Sequence, residues 1–341
     1  MSLSRDIVSE ILKRVDGITL AKAGCCCSDL RSIADQETLW EHLCRSLWPS
    51  TGNEGVQSLI SSFGGFKKLY ANCFPLVDVS KQIEDHQKNF NPSSFEDYDD
   101  EVHDDTVSLS DFVSLVDIHY NNKAIYSEVS WKIPAAHDIM IDNRSSTIFP
   151  LVINLPCDTS EGGLFPISTI NEKEDVERNL RLSWILINTK TKHAVNLSSW
   201  RTLQAQRLNW GCGGIDFTIR FGSILPYHDN GLPPKLAACN IVMICRVETM
   251  NLQVRGVSMQ LEDMMGCQVN ARDGAVILQR ALEWTKRTND HGQVIQRCHD
   301  VEELQSDFME GKLEGECQMN PLCIIFSLGV TALLSSYYFF L

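Results

Sequence analysis

The first 75 residues place their apolar positions at helical spacing. In "RDIVSEILKRVDG", Ile7, Val8, Ile11, Leu12 and Val15 recur on one face, predicting an amphipathic helix closed by Asp16-Gly17. Thr19 is placed to cap a second helix through Leu20, Ala21 and Cys25, Cys26 and Cys27, and Ser28 a third through Leu30, Ile33 and Ala34. Thr38 opens a fourth, carrying Leu39, Trp40, Leu43, Cys44, Leu47 and Trp48 and stopping at Pro49. A further short helix around Phe66, Leu69 and Tyr70 ends before Pro75.

From about residue 107 to 290 the period changes to two. "SLVDIHYNNKAIYSEVSW" reads as two strands around Asn121-Asn122, residues that tolerate the positive φ of a tight hairpin turn. "LRLSWILINTKTKHAVNLSS" repeats the form, and "GGIDFTIRFGSIL", "AACNIVMICRVETM" and "LQVRGVSMQLEDM" follow as further strands. Short strands without intervening helices predict an antiparallel β-sandwich. The helical period returns in "DGAVILQRALEWTKR", where Val276, Ile277, Arg280, Ala281 and Trp284 fall on successive turns and predict a helix packed on the sheet.

Two stretches interrupt this pattern. Residues 80–106 are densely acidic and poor in aliphatics, so they read as a mobile linker, and 291–320 read as a polar linker. A calcium loop in "EDYDDEVHDD" is disfavoured, since the glycine and distal glutamate of such a loop are missing. The segment "PLCIIFSLGVTALLSSYYFFL" runs 21 residues from Pro321 to Leu341 without a charge. At ~1.5 Å per residue it reaches about 30 Å, the thickness of a bilayer core, and predicts a transmembrane tail with Tyr337 and Tyr338 at the interface.

Composition narrows the function. The 341 residues are 43% hydrophobic and 22% charged, as expected of a folded, core-bearing chain. With 44 acidic against 30 basic residues the net charge is −14, which repels phosphate backbones and excludes nucleic acid as an expected partner. Arg5, Asp6 and Glu10 interrupt any apolar signal core at the start, so no secretory signal is expected. The sequons at Asn143 and Asn196 then carry no weight.

Candidate chemistry is sparse. The 13 cysteines show no Cys-x-x-Cys pair with histidines at metal-binding spacing, which predicts reduced thiols and no metal site. Cys25, Cys26 and Cys27 point about 100° apart on a helix, so they read as small buried hydrophobes that let helices approach closely. "NWGCGGIDF" lacks the Lys-Ser/Thr of a phosphate cradle and reads as a turn. No catalytic constellation is assigned among the nine histidines, and no cofactor is expected. Trp131, Trp184, Trp200 and Trp210 could line a ligand groove, but such residues more often serve as sheet core.

One resemblance organises these observations. Leu3, Asp6, Ile7, Ile11, Leu12, Val15, then Leu20, Ala21, Cys25, Cys27, then Leu30, Arg31, Ala34, then Leu39, Trp40 and Leu43 resemble an F-box, the three-helix module by which substrate receptors dock on a Skp-type adaptor. The family opens on Leu-Pro, whereas Leu3 is followed by Ser4, which lowers the expected adaptor affinity. "LWEHLCRSLWPST", "LSWILINTKTKHAVNLSSWR" and the hydrophobic tail make the chain similar to a small group of plant F-box proteins of the cytokinin-induced type.

The expected fold is an α+β multidomain chain. It comprises a three-helix F-box over 1–48, a helical extension over 49–79, the acidic linker over 80–106, a β-sandwich-like target-binding domain over 107–290, the polar linker over 291–320 and the C-terminal hydrophobic helix over 321–341. The resemblance implies a non-catalytic subunit of a Skp-cullin-F-box ubiquitin ligase that binds the adaptor, and through it the cullin-RING ligase, and recruits an unnamed target protein. Its adaptor-binding residues are expected to be Leu3, Ile7, Ile11, Leu12, Leu20 and Leu30. Membrane attachment through 321–341 would place it on the cytosolic face of a membrane, with the endoplasmic reticulum favoured over cytosol or nucleus. The alternative from another class is a membrane-anchored lectin-like or lipid-binding module.

Overall fold

The computed structural model of the chain describes residues 4–89, 108–131, 152–156, 165–166, 173–208, 215–227, 235–248 and 251–315. The chain divides after Val301, and of the second unit the described residues are 302–315.

The first unit opens with helices α1 (Arg5–Leu12), α2 (Gly17–Cys26), α3 (Ser28–Ala34), α4 (Glu37–Leu47), α5 (Glu54–Ser62) and α6 (Gly65–Cys73), with a 3-10 turn at Pro49–Gly52. Next come β1 (Leu76–Val77), α7 (Ser80–Asn89), β2 (Phe112–Tyr120), β3 (Lys123–Ser130), β4 (Val152–Pro156), β5 (Phe165–Pro166) and α8 (Lys173–Asn179). The remainder is β6 (Leu180–Asn188), β7 (His193–Asn196), β8 (Trp200–Arg201), β9 (Gln204–Leu208), β10 (Ile215–Tyr227), β11 (Lys235–Glu248), β12 (Asn251–Asp263), α9 (Ala271–Glu283), β13 (Arg287–Thr288) and α10 (His291–Gly315).

Among the described residues the strands form a five-stranded sheet, ordered β3-β2-β6-β7 with β8 also on β6, and a six-stranded sheet, ordered β4-β12-β11-β10-β9 with β5 also on β12. β1 pairs with β13, and all pairings are antiparallel. The expected turn between β2 and β3 is present, with Asn121 and Asn122 at φ 50° and 61°, the left-handed pair that matches the strand twist.

β2 and β6 explain the layering. Every residue of β2 is buried, and so is every residue of β6 except Arg181. A strand buried on both faces reads as a nearly continuous apolar run, as "FVSLVDIHY" and "LRLSWILIN" do. One face, with Val113, Leu115, Ile185 and Ile187, joins the core of α1 to α6 around Leu20, Trp40 and Leu69. The other face, with Val116, Ile118, Trp184 and Leu186, joins the core of the six-stranded sheet around Phe217, Ile219 and Ile241. The five-stranded sheet is therefore the middle of three layers, and the helical module and the β region share a core instead of standing apart.

Several expectations change at the level of elements. The caps differ: Asp16, not Thr19, opens α2, its carboxylate accepting from the Thr19 backbone N–H at 2.8 Å and the Thr19 hydroxyl at 2.9 Å. Cys27, not Ser28, opens α3, its sulfur accepting from the Leu30 N–H at 3.5 Å. The first part of the expected acidic linker is helix α7, anchored by buried Ile83; its straight-chain residues favour helix despite their charge. The expected polar linker after 290 is α10, held by a thin buried stripe of Val294, Cys298 and Val301 in an otherwise polar sequence. In α9 the stripe is rotated: Ala275, Ile277, Leu278, Ala281 and Leu282 are buried, whereas Arg280 is exposed and Val276 half-buried.

The hydrophobic tail, the "EDYDDEVHDD" stretch, Asn143 and Trp210 lie outside the described residues. Among the described residues no helix is long and apolar enough to cross a membrane.

Candidate functional site

α1 is a helix with two apolar faces. Leu12 turns inward with only 7% exposure and Val8 packs beside it, while Ile7 and Ile11, one turn apart, stand outward at 50% and 51%. Among the described residues these two and Trp131 are the large hydrophobics left exposed. Together the two make a small apolar patch on the outer face of α1.

The scaffold behind this pair is fixed by polar ties. Arg5 Nη2 donates to Ser32 Oγ at 2.8 Å, joining α1 to α3, and Arg31 Nε donates to the Gly24 carbonyl at 3.1 Å, joining α3 to α2. Beneath them Trp40 Nε1 donates to the Ala34 carbonyl at 2.7 Å. Tyr70 then links rings in series: its centroid is 5.3 Å from Trp40, 6.1 Å from Trp48 and 4.7 Å from Phe74, the last pair stacked. α2 comes so close to α6 that a Cβ on Gly17 would lie 2.2 Å from Tyr70 Cζ.

The six expected adaptor residues are not equivalent. Ile7 and Ile11 are outward, and Leu30 on α3 is half-buried. Leu12 and Leu20, the latter 1% exposed, belong to the internal core, and Leu3 lies outside the described residues. Leu20, in the first half of α2, faces the α4 to α6 core and not solvent. Cys25, Cys26 and Cys27 are exposed, contrary to the expectation of buried small residues. The Sγ atoms of Cys25 and Cys26 bond back to the carbonyls of Ala21 and Lys22 at 3.6 and 3.4 Å, which satisfies them on the helix surface. Among the described residues no cluster of ligating side chains could hold a metal ion.

The module is joined to the middle sheet by a polar node that sequence reasoning missed. Asp117, wholly buried on β2, accepts from the Ser50 backbone N–H at 2.9 Å, the Ser50 hydroxyl at 2.6 Å and the Ser127 hydroxyl at 2.7 Å. Burial pushes its carboxyl up to about 6, against the lowering effect of these hydrogen bonds. Beside it Trp48 Nε1 donates to Ser183 Oγ at 3.0 Å. The signal available in the sequence was a lone aspartate inside an apolar strand, which demands partners if buried.

The tryptophans divide likewise. Trp184 is core, its Nε1 donating to Ser114 Oγ at 3.2 Å; Trp200 is half-buried, and Trp131 is exposed against Gly55. Asn196 is buried and structural, its Oδ1 accepting from the backbone N–H groups of Trp184 and Ser198.

A small helical unit that presents an exposed apolar pair and shares its core with a two-sheet antiparallel β region defines the class of the chain, an α+β protein with a helical module at its N-terminal side. The comparisons give that class its family. The F-box domain matches residues 1–42. A probable F-box protein of Arabidopsis thaliana is 30% identical over 315 residues, covering 90% of this chain and 80% of that protein. A second Arabidopsis thaliana F-box protein is 26% identical over 353 residues, covering 98% of this chain and 95% of its own length. The F-box protein GID2 of Oryza sativa subsp. japonica is 37% identical over 71 residues, 20% of this chain and 34% of that protein. No solved structure matches. The chain belongs to the F-box protein family, and its relatives over nearly the whole length are plant proteins.

Proposed function

We propose that the chain is the substrate-receptor subunit of a Skp-cullin-F-box ubiquitin ligase. The observation that carries this reading is the outward pair Ile7 and Ile11 on the first helix of a segment matched by the F-box domain. In this reading α1 and the half-buried Leu30 meet the Skp-type adaptor, while Leu12 and Leu20 hold the module together from inside. The β region presents the target protein. The chain contributes proximity rather than chemistry: a target held beside the charged carrier enzyme meets it at a raised effective concentration. Affinity purification of the full chain from plant cells, followed by identification of the co-purifying proteins, tests this; adaptor and cullin are expected together, and their consistent absence would refute the assignment.

The resemblance in "LSWILINTKTKHAVNLSSWR" and in the tail supports placement in the cytokinin-induced type of plant F-box group. The uncharged segment 321–341 supports insertion into a membrane with the rest of the chain on the cytosolic side, the endoplasmic reticulum being favoured. The intact chain is then expected in the membrane pellet after carbonate extraction, and a version ending at Asn320 in the supernatant. Recovery of both in the supernatant would remove the anchor.

A further inference from the structure

The free cysteines among the described residues fall into two sets. Cys44, Cys73, Cys239, Cys245 and Cys298 are buried, and burial pushes the first four thiols up, Cys245 to about 12, so they stay protonated and closed to reagents. Cys25, Cys26, Cys27 and Cys267 are exposed. Three of these are consecutive, which gathers most of the accessible sulfur of the described chain at one bend of the backbone.

That bend is the junction of α2 and α3. Cys25 and Cys26 are the last residues of α2, and Cys27, extended at φ −158° and ψ 167°, ends α2 and caps α3. The thiols of Cys25 and Cys26 donate to the carbonyls one turn back. Cys27 differs: its sulfur accepts from the Leu30 N–H at 3.5 Å and its carbonyl from the Arg31 N–H at 2.9 Å. A substituent on that sulfur competes with the cap and crowds the first turn of α3.

The bend also adjoins the residues that meet the adaptor in the proposed docking. Half-buried Leu30 donates directly to the Cys27 sulfur, and Ser32 on the same short helix accepts from Arg5 Nη2 at 2.8 Å, which fixes α1 and its outward Ile7 and Ile11. Arg31 Nε ties back to the Gly24 carbonyl at 3.1 Å, and a Cβ on Gly24 would lie 3.4 Å from Ala34 Cβ. α1, α2 and α3 are therefore coupled around the thiols, and a bulky charged group on Cys27 stands beside both Leu30 and the tie to α1.

We propose that Cys27 is a reversible modification site, where a mixed disulfide with a glutathione-type thiol loosens the cap of α3 and weakens adaptor docking. The effect on docking rests on the receptor reading; the site itself does not. In the exchange the Cys27 sulfur, having given up its proton, attacks one sulfur of the small disulfide. The new S–S bond forms as the old one breaks and the departing thiolate takes the proton, so the protein thiol is oxidised and half of the reagent is reduced to free thiol. Treatment of the reduced full chain with oxidised glutathione, followed by peptide mapping, amide exchange and calorimetric titration with a purified Skp-type adaptor, tests this. An adduct on Cys27 is expected while Cys44, Cys73, Cys239 and Cys245 stay free, with faster exchange at the Leu30 amide. Adaptor affinity is expected to fall about tenfold or more and to return with dithiothreitol. Cys27→Ser, whose hydroxyl keeps the cap, should bind like the reduced wild type and hold that affinity after treatment, whereas Cys267→Ser should remain as sensitive as wild type. The proposal is overturned by the lack of an adduct at Cys27, by an adduct that leaves Leu30 exchange unchanged, or by an equal loss of affinity in treated Cys27→Ser. Absence of adaptor binding by the reduced chain would instead refute the receptor reading, with the adduct and the Leu30 exchange, both read on the free chain, still deciding the site.

Discussion

Gly17 shows how much one position decides. Its missing Cβ is what lets α2 lie against the Tyr70 ring, since an added methyl would approach Cζ to 2.2 Å. Gly17→Ala is therefore expected to lower the melting temperature, at a cost of about 1–3 kcal/mol from overpacking, although alanine is the better helix former. Thermal denaturation of the pure chain checks this. The residues of α1 and α2 were legible as apolar but not as inward or outward. The family resemblance grouped Ile7, Ile11, Leu12 and Leu20 together, and only packing separates the two isoleucines in solvent from the two leucines in the core. Cys25 to Cys27 misled for a related reason: small apolar side chains suit a tight contact, but the contact at α2 is made by Gly17 and Leu20, which leaves the thiols on the surface.

Among the elements, the hairpin at Asn121-Asn122 and the long antiparallel strands were readable because alternation and turn residues coincide there. α7 and α10 were not, because one or a few buried residues hold each against a polar background. The node at Asp117 joins three elements: the 3-10 turn after α4, β2 and β3. Its carboxyl, raised to about 6, binds its proton more tightly in the folded chain than in the unfolded one. The stability it contributes is thus fully present below about pH 4 and lost as pH rises through the folded value. Asp117→Asn, which carries no charge, should remove this component. Urea denaturation between pH 4 and 7 is expected to show wild type losing about 2–3 kcal/mol relative to the variant, and parallel pH profiles would contradict a buried, titrating Asp117.

For the whole molecule, β2 and β6 read as alternating strands of a sandwich, and it is their burial on both faces that makes the three layers, a feature that packing and not periodicity supplies. The shared core makes the helical module a structural part of the β region. A fragment of residues 107–290 exposes the face bearing Val113, Leu115, Ile185, Ile187 and Ala194, so it is expected to be insoluble or to lack a cooperative transition when made alone. A soluble, cooperatively folding fragment would show that the layers are separable. The adaptor-docking role, in contrast, rests on what that core leaves outside. The decisive measurement is the affinity of the purified full chain for a purified Skp-type adaptor, for wild type and for the double substitution Ile7→Asp and Ile11→Asp. Both side chains are outward, so the melting temperature should stay within a few degrees of wild type while binding becomes undetectable, because burying unpaired carboxylates at the contact costs several kcal/mol. A correctly folded double variant that binds the adaptor with wild-type affinity would contradict docking through α1.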